Sequence, residues 1–417
     1  MANKKSFVIV GAGLAGARAA ETLREQGFAE RIFLVGDEGR LPYERPPMSK
    51  ECLVGSRPLG SATLRSWEDW MDIAVHLVLD DPVVALDTEA GAVRLRSGIR
   101  VHAEKVLLCT GGLPRRLSVV GADLPGIHYL RTADEAEALG DRLRRGRLRV
   151  AVVGGGLLAA EVASAAVGLG NEVDWVCRSR VPLTGTVGGQ AAAELADRRR
   201  IDRLTVHTEA RVAGFAGQDR VTEVMLADGD RIPTDLVLVA VGHTPALDFL
   251  DRDRFGVRNG LPVNSRLQSR IASVFAAGDI ARFYDPHVGG RVRHGTWLNA
   301  QNQGRAAALA MLGSPEPYRA VPWFWSDHFD VNVQVAGHVD ETAEVVVRRR
   351  PDGSGCWLYT AGDRIVGAVG IDAPGEVRAA MALIERGTRI DARTLRDPAT
   401  DLRQLRRAHA QAKDGAA

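Results

Sequence analysis

The residue pattern predicts an α/β chain: two three-layer domains built on parallel sheets, then a C-terminal α+β domain. Three observations carry this. Gly11-Ala12-Gly13-Leu14-Ala15-Gly16 follows the apolar run Phe7-Val8-Ile9-Val10. Gly154-Gly155-Gly156-Leu157-Leu158-Ala159 follows Val150-Ala151-Val152-Val153. From about residue 318 the chain changes to short alternating strands carrying Trp323, Trp325 and Trp357. Each glycine segment reads as strand, tight turn and helix start, the Rossmann-like arrangement. The first glycine makes the turn, the second lets backbone approach a pyrophosphate, and the third position must be small for close packing. Free N–H groups and the positive end of the helix dipole then face that pyrophosphate.

The elements follow in order. Strand 7–10, a helix over 13–26 closed by Gly27, and strand 31–35 form the first βαβ unit. It ends on Gly36-Asp37, and Asp37 lies 24 residues past Gly13, a spacing suited to an acid that accepts from a ribose hydroxyl. The prolines of Leu41-Pro42-Tyr43-Glu44-Arg45-Pro46-Pro47-Met48-Ser49-Lys50 exclude a regular helix or central strand there, which predicts an ordered loop over the nucleotide. An apolar strand ends on Thr110-Gly111-Gly112. A second βαβ unit spans 150–176, and strand 235–241 closes on Gly242. Val274-Phe275-Ala276-Ala277 leads into Gly278-Asp279, and a helix covers 297–311. Strands are predicted at 331–336, 344–349, 355–360 and 364–370, with a helix at 375–386. The domains are therefore 1–113 with 241–317, then 114–240, then 318–403, with a polar, frayed tail at 404–417.

Composition narrows the function classes. The 417 residues are 45% hydrophobic and 25% charged, with a net charge of +2. That is ordinary for a soluble globular protein and gives no global sign of nucleic-acid binding. No apolar run approaches the roughly 20 residues that span a bilayer. The N-terminus leads straight into the first strand, leaving no room for a signal peptide. Cys52, Cys109, Cys177 and Cys356 are widely spaced. This argues against a disulfide scaffold, a cysteine-rich metal site and a redox-active dithiol, so a reducing, cytoplasmic location is expected with no metal. Two fingerprints imply two dinucleotides, most economically a flavin and a nicotinamide.

With these residues placed, the chain resembles the FAD-dependent ferredoxin reductases of bacterial oxygenase systems, within the wider flavoprotein class that has two dinucleotide domains. The matching segments include Leu34-Val35-Gly36-Asp37-Glu38, the run 43–50 ending Pro46-Pro47-Met48-Ser49-Lys50, Tyr129-Leu130-Arg131-Thr132, Ala276-Ala277-Gly278-Asp279, Asn299-Ala300-Gln301-Asn302-Gln303-Gly304 and Trp323-Phe324-Trp325-Ser326-Asp327. The resemblance implies that FAD is held by Gly11, Gly13, Leu14, Ala15, Gly16, Asp37, Arg45, Val83, Thr110, Gly111, Arg131, Gly278 and Asp279. Lys50, near flavin N5, and Trp297, beside the flavin ring, would be the residues closest to the chemistry. Gly154, Gly156, Leu157, Leu158, Glu161, Cys177, Arg178, Arg180 and Gly242 would hold NADH or NADPH. It further implies hydride transfer from nicotinamide to flavin, then single electrons to a [2Fe–2S] or similar ferredoxin, by a monomer or homodimer with no nucleic-acid or membrane partner. The cofactor carries the chemistry, so no protein nucleophile is needed.

Two positions depart from that family. Its usual acid after the second unit's second strand is Cys177 here, 21 residues past Gly156, followed by Arg178 and Arg180. One reading is a switch to NADPH, and another is weakened binding of either nucleotide. The family's glutamate two positions before Trp297 is Gly295, which would alter hydride geometry. The basic runs 142–149 and 197–200 are candidates for steering an acidic ferredoxin or are solvated faces. Alternatives remain: a flavoenzyme acting directly on a small molecule, and a flavin-dependent interaction protein.

Overall fold

The computed structural model describes residues 6–199, 201–397 and 399–405. The expectation of a frayed tail falls largely on 406–417, outside the described residues, as does most of the run before the first strand. The chain forms two compact units.

The first unit comprises Met1–Glu44, Gly60–Leu113 and His243–Pro322. Its centre is a five-stranded sheet in the order Val274–Ala276, Lys105–Leu108, Ser6–Val10, Arg31–Val35, Val75–Val78, every neighbour pair parallel. The strand Ser6–Val10 is buried at every position, as a strand covered on both faces must be. Helix Leu14–Glu25 crosses from it to Arg31–Val35 and buries its alanine face. Helix Trp297–Met311 packs on that helix so closely that a Cβ on Gly304 would lie 2.2 Å from the Ala15 carbonyl oxygen. A three-stranded antiparallel sheet, Val83–Asp87, Ala92–Leu95 and Arg100–His102, interrupts the wound sheet.

The second unit comprises Arg45–Leu59, Pro114–Gly242 and Trp323–Ala417. Its parallel sheet runs Leu204–His207, Glu172–Val176, Arg149–Val153, Leu236–Val239, Ile127–His128. Helix Leu157–Gly168 makes the crossover after the second fingerprint. The C-terminal part is a five-stranded antiparallel sheet, Trp323–His328, Val331–Gly337, Arg364–Ile371, Gly355–Ala361, Glu344–Arg349, backed by helix Pro374–Glu385. Trp357 and Tyr359 are wholly buried there.

Predicted elements recur with end shifts of a few residues. Two differences have physical causes. Strand Trp323–His328 went unread because it does not alternate: its first three residues are all half-buried aromatics. The proline-rich stretch contains a 3₁₀ turn, Pro46–Ser49, which proline tolerates because the first positions of a helix need no N–H donor.

Candidate functional site: two glycine cradles and an ion cluster

In the first unit, Gly11 has φ +111°, and a Cβ there would lie 2.2 Å from the Cys109 carbonyl oxygen, so only glycine fits. A Cβ on Gly16 would meet the Gly11 carbonyl oxygen at 2.0 Å, which explains the small third position. Gly13 differs from both. It caps helix Leu14–Glu25 with ordinary φ, offers no side-chain cap, and a Cβ on it would meet nothing within 4 Å. The open space lies at a helix N-terminus with no side-chain cap, which fits a pyrophosphate. Asp37 is exposed beyond Val35, with no hydrogen-bond or ion-pair partner among the described residues. Leu14 begins the helix, and Ala15 and Val83 are buried in the surrounding core.

In the same unit the Thr110 hydroxyl donates to the Ala246 carbonyl (2.6 Å), and Gly111 stands at φ +68°. Gly278 (φ +76°) takes the Gln303 side-chain oxygen on its N–H, and Asp279 beside it is buried. Trp297 is half-buried at the start of its helix, behind the Thr296 cap.

Sequence reasoning missed what occupies the space beside Gly295. A Cβ there would lie 3.0 Å from the His243 ring, and one on Gly112 only 2.5 Å from it. Two side-chain-free positions thus house one imidazole. Arg293 Nη1 donates to His243 Nε2 (2.9 Å) and to the Asp279 carbonyl (2.7 Å). The His243 acceptor role leaves the ring proton of its neutral form on Nδ1.

The second fingerprint repeats the logic. Gly154 has φ +142°, and a Cβ would lie 2.2 Å from the Ala240 carbonyl oxygen. Gly156 caps helix Leu157–Gly168 without a side-chain cap and faces open space. Leu157 and Leu158 are half-buried in the first turn, and Ala159, fully buried, holds the small third position. Gly242 has φ +103° and open space beside it. Trp175 Nε1 donates to the Gly154 carbonyl (2.6 Å), holding the turn to the next strand.

Arg45, Lys50 and Arg131, which the resemblance assigns to FAD, lie in the second compact unit. Arg45 Nη1 donates to the Arg131 carbonyl. Lys50 Nζ lies 3.4 Å from Glu161 Oε1 and 3.3 Å from Asp327 Oδ2, and 5.3 Å from the centre of the Trp325 ring. The Ser49 and Ser326 hydroxyls both donate to the Glu161 carboxylate, Ser326 at 2.6 Å. Two remote segments, 49–50 and 326, therefore converge on one carboxylate. Ser49, Ser326 and Asp327 stand inside motif segments, but nothing in their spacing shows that the two serines meet Glu161 or that Asp327 meets Lys50.

The run 197–200 is not a solvated face along its length. Arg198 pairs with Glu194 (3.1 Å) and Asp372 (3.3 Å). Arg199 turns inward over Trp175, 5.1 Å from the ring centre, and burial pushes its pKa down to about 10. Arg200 is outside the described residues. In the other run, Arg144 donates to the Leu53 carbonyl and Arg149 pairs with Asp235 (2.9 Å).

Comparison with known proteins gives this geometry a family. Residues 5–304 match the pyridine nucleotide-disulphide oxidoreductase family and residues 323–406 the reductase C-terminal family. The biphenyl dioxygenase system ferredoxin–NAD(+) reductase component of Paraburkholderia xenovorans is 35% identical, with 97% of this chain and 98% of the relative covered. The chain is a ferredoxin reductase of the pyridine nucleotide-disulphide oxidoreductase family. Rhodocoxin reductase of Rhodococcus erythropolis is 33% identical, over 91% of this reductase and 89% of that one. Among solved structures, the ferredoxin reductase for the CYP199A2 system of Rhodopseudomonas palustris superposes with TM-score 0.92 at 30% identity, covering 96% of this chain and 99% of that one. The covalent putidaredoxin reductase–putidaredoxin complex gives TM-score 0.92 at 29% identity, covering 98% and 99%. The reductase is an oxidoreductase whose cofactors are FAD and NAD(P)H. Among its described residues no helix is long and apolar enough to cross a membrane.

Proposed function

We propose that this reductase serves an oxygenase system, taking electrons from NAD(P)H and delivering them to a small [2Fe–2S] ferredoxin. The observation that carries it is the pair of glycine cradles, each ending at a helix N-terminus with no side-chain cap, in a chain spanning 98% of a ferredoxin–NAD(+) reductase component. When bound, FAD would supply the redox chemistry between a hydride donor and a one-electron acceptor. The protein's part is to bind and orient. Gly13 and Gly156 admit a pyrophosphate, and the helix N-termini stabilise its charge. Asp37 accepts from a ribose hydroxyl of FAD, and Asp279 holds the ribityl chain. The Ser49 and Ser326 hydroxyls hold Glu161, which in turn fixes the Lys50 ammonium. We place Lys50 at the reacting end of the flavin and Trp297 beside its ring. The four cysteines are free and buried, which suits the cytoplasm.

The test is anaerobic mixing of the yellow protein with NADH or NADPH, followed by cytochrome c reduction with and without a [2Fe–2S] ferredoxin. Rapid bleaching of the flavin, and cytochrome reduction that requires the ferredoxin, are expected. Bleaching without ferredoxin-dependent turnover would transfer the activity to a small-molecule acceptor.

A further inference from the structure

The turn after strand Glu172–Val176 bears on which nicotinamide nucleotide the second cradle takes, a question that rests on the nucleotide assignment proposed above. In such sites an acid at the end of this strand accepts from the ribose hydroxyls, while a nearby arginine accommodates a 2′-phosphate. Here the first residue past the strand is Cys177. Its Cβ and the Ser179 hydroxyl lie 3.4 and 3.3 Å from where a Cβ on Gly155 would stand, so both flank the fingerprint. The Cys177 thiol is buried and donates to the Ser179 carbonyl (3.4 Å). Burial pushes its pKa up, so it stays protonated and neutral.

No carboxylate stands between 177 and 180. Of the acids on neighbouring strands and loops, Asp174 is engaged by His207 (2.7 Å). Glu209 is exposed, tied to the turn only by its backbone N–H on the Ser179 carbonyl (3.2 Å). The cations are not similarly engaged. Arg178 and Arg180 are exposed and have no ion-pair or hydrogen-bond partner among the described residues. That contrasts with Arg149, Arg198 and Arg231 of the same unit, each paired to a carboxylate. Arg199 adds a third positive charge, felt at Cys177, and its Nε and Nη2 have no hydrogen-bond partner.

We propose that the turn 177–180 is a 2′-phosphate subsite, read by Arg178 and Arg180, and that the reductase prefers NADPH to NADH. A neutral thiol removes the repulsion that a carboxylate would exert on a phosphate dianion. Unengaged guanidinium groups supply charge-assisted, bidentate bonds to it.

The experiment uses the FAD-loaded full chain. Flavin bleaching is followed by stopped flow with each nucleotide, and binding of 2′,5′-ADP and 5′-ADP by calorimetry. The parent protein is expected to favour NADPH, and 2′,5′-ADP, by about tenfold or more. The double variant Arg178→Ala/Arg180→Ala should lose most of both preferences, and Cys177→Glu should move them toward NADH and 5′-ADP. Equal or better binding of 5′-ADP by the parent protein overturns the proposal. Should neither nucleotide bleach the flavin, the reductase reading fails by itself, and the two ADP ligands still decide whether the subsite exists.

Discussion

At Gly11 and Gly13 the same residue type stands for opposite physical reasons. Gly11 is required by the protein: its φ is +111° and carbonyl oxygen crowds its missing Cβ. Gly13 has ordinary φ and nothing within 4 Å, so no protein atom requires it, and the proposed pyrophosphate is what would. Gly13→Ala should therefore leave the unfolding free energy of the FAD-stripped protein within about 1 kcal/mol of the parent, while weakening FAD about tenfold or more. Gly11→Ala should lower both stability and FAD content. Urea titration and fluorescence titration with FAD separate the two, and unchanged FAD affinity in Gly13→Ala would remove the pyrophosphate from that cradle. This is also where legibility from sequence was high, because glycine spacing is a local signal. It failed for His243, whose ring fills the space beside Gly112 and Gly295, residues far apart along the chain. A histidine after a strand-ending glycine has no pattern that points to such a partner.

Helix packing in the first unit includes one very close approach. Helix Trp297–Met311 was legible in the sequence at about these bounds, and in the structure Thr296 caps it. What spacing did not show is that Gly304 lies against the Ala15 carbonyl, at the start of the first fingerprint helix. Gly304→Ala must push the two helices apart, a form of overpacking that costs about 1–3 kcal/mol. Because Ala15 adjoins the cradle, FAD retention should fall together with the thermal midpoint. Co-purified FAD and melting temperature check this, and an alanine variant with full FAD and an unshifted melt would show that the contact gives way cheaply. The strands of the C-terminal sheet were mostly legible from alternation. Trp323–His328 was not, since its half-buried aromatics obscure the period of two.

At the scale of the whole molecule, stability should depend on pH through His328. It is buried, both ring nitrogens lack a hydrogen-bond partner, and burial, with Arg199 and Lys50 adding to it against the opposing charge of Asp327, pushes its pKa down to about 4. The unfolded chain takes up that proton near pH 6.5 and the folded chain only near pH 4. Its contribution is therefore present above pH 6.5 and is lost as pH falls toward 4, by up to about 3 kcal/mol. His328→Phe should flatten the fall in urea stability across that window relative to the parent protein, and parallel curves would assign the fall to other groups. Nothing in the sequence marked His328, since burial without a partner emerges only from the tertiary arrangement. The two parallel-sheet βαβ segments, by contrast, were evident from their repeated strand–turn–helix pattern.

The convergence on Glu161 has a practical consequence for chimaeras. Its carboxylate takes hydroxyls from Ser49 and Ser326 and lies against Lys50, so three stretches of chain that look separable on paper close one polar knot. Grafting a relative's C-terminal sheet onto this chain at residue 322 would import a foreign counterpart for Ser326 and Asp327 while keeping the resident Lys50. A partner-specificity exchange of that kind should transplant the segment around 45–59 together with the sheet, as one inheritable piece.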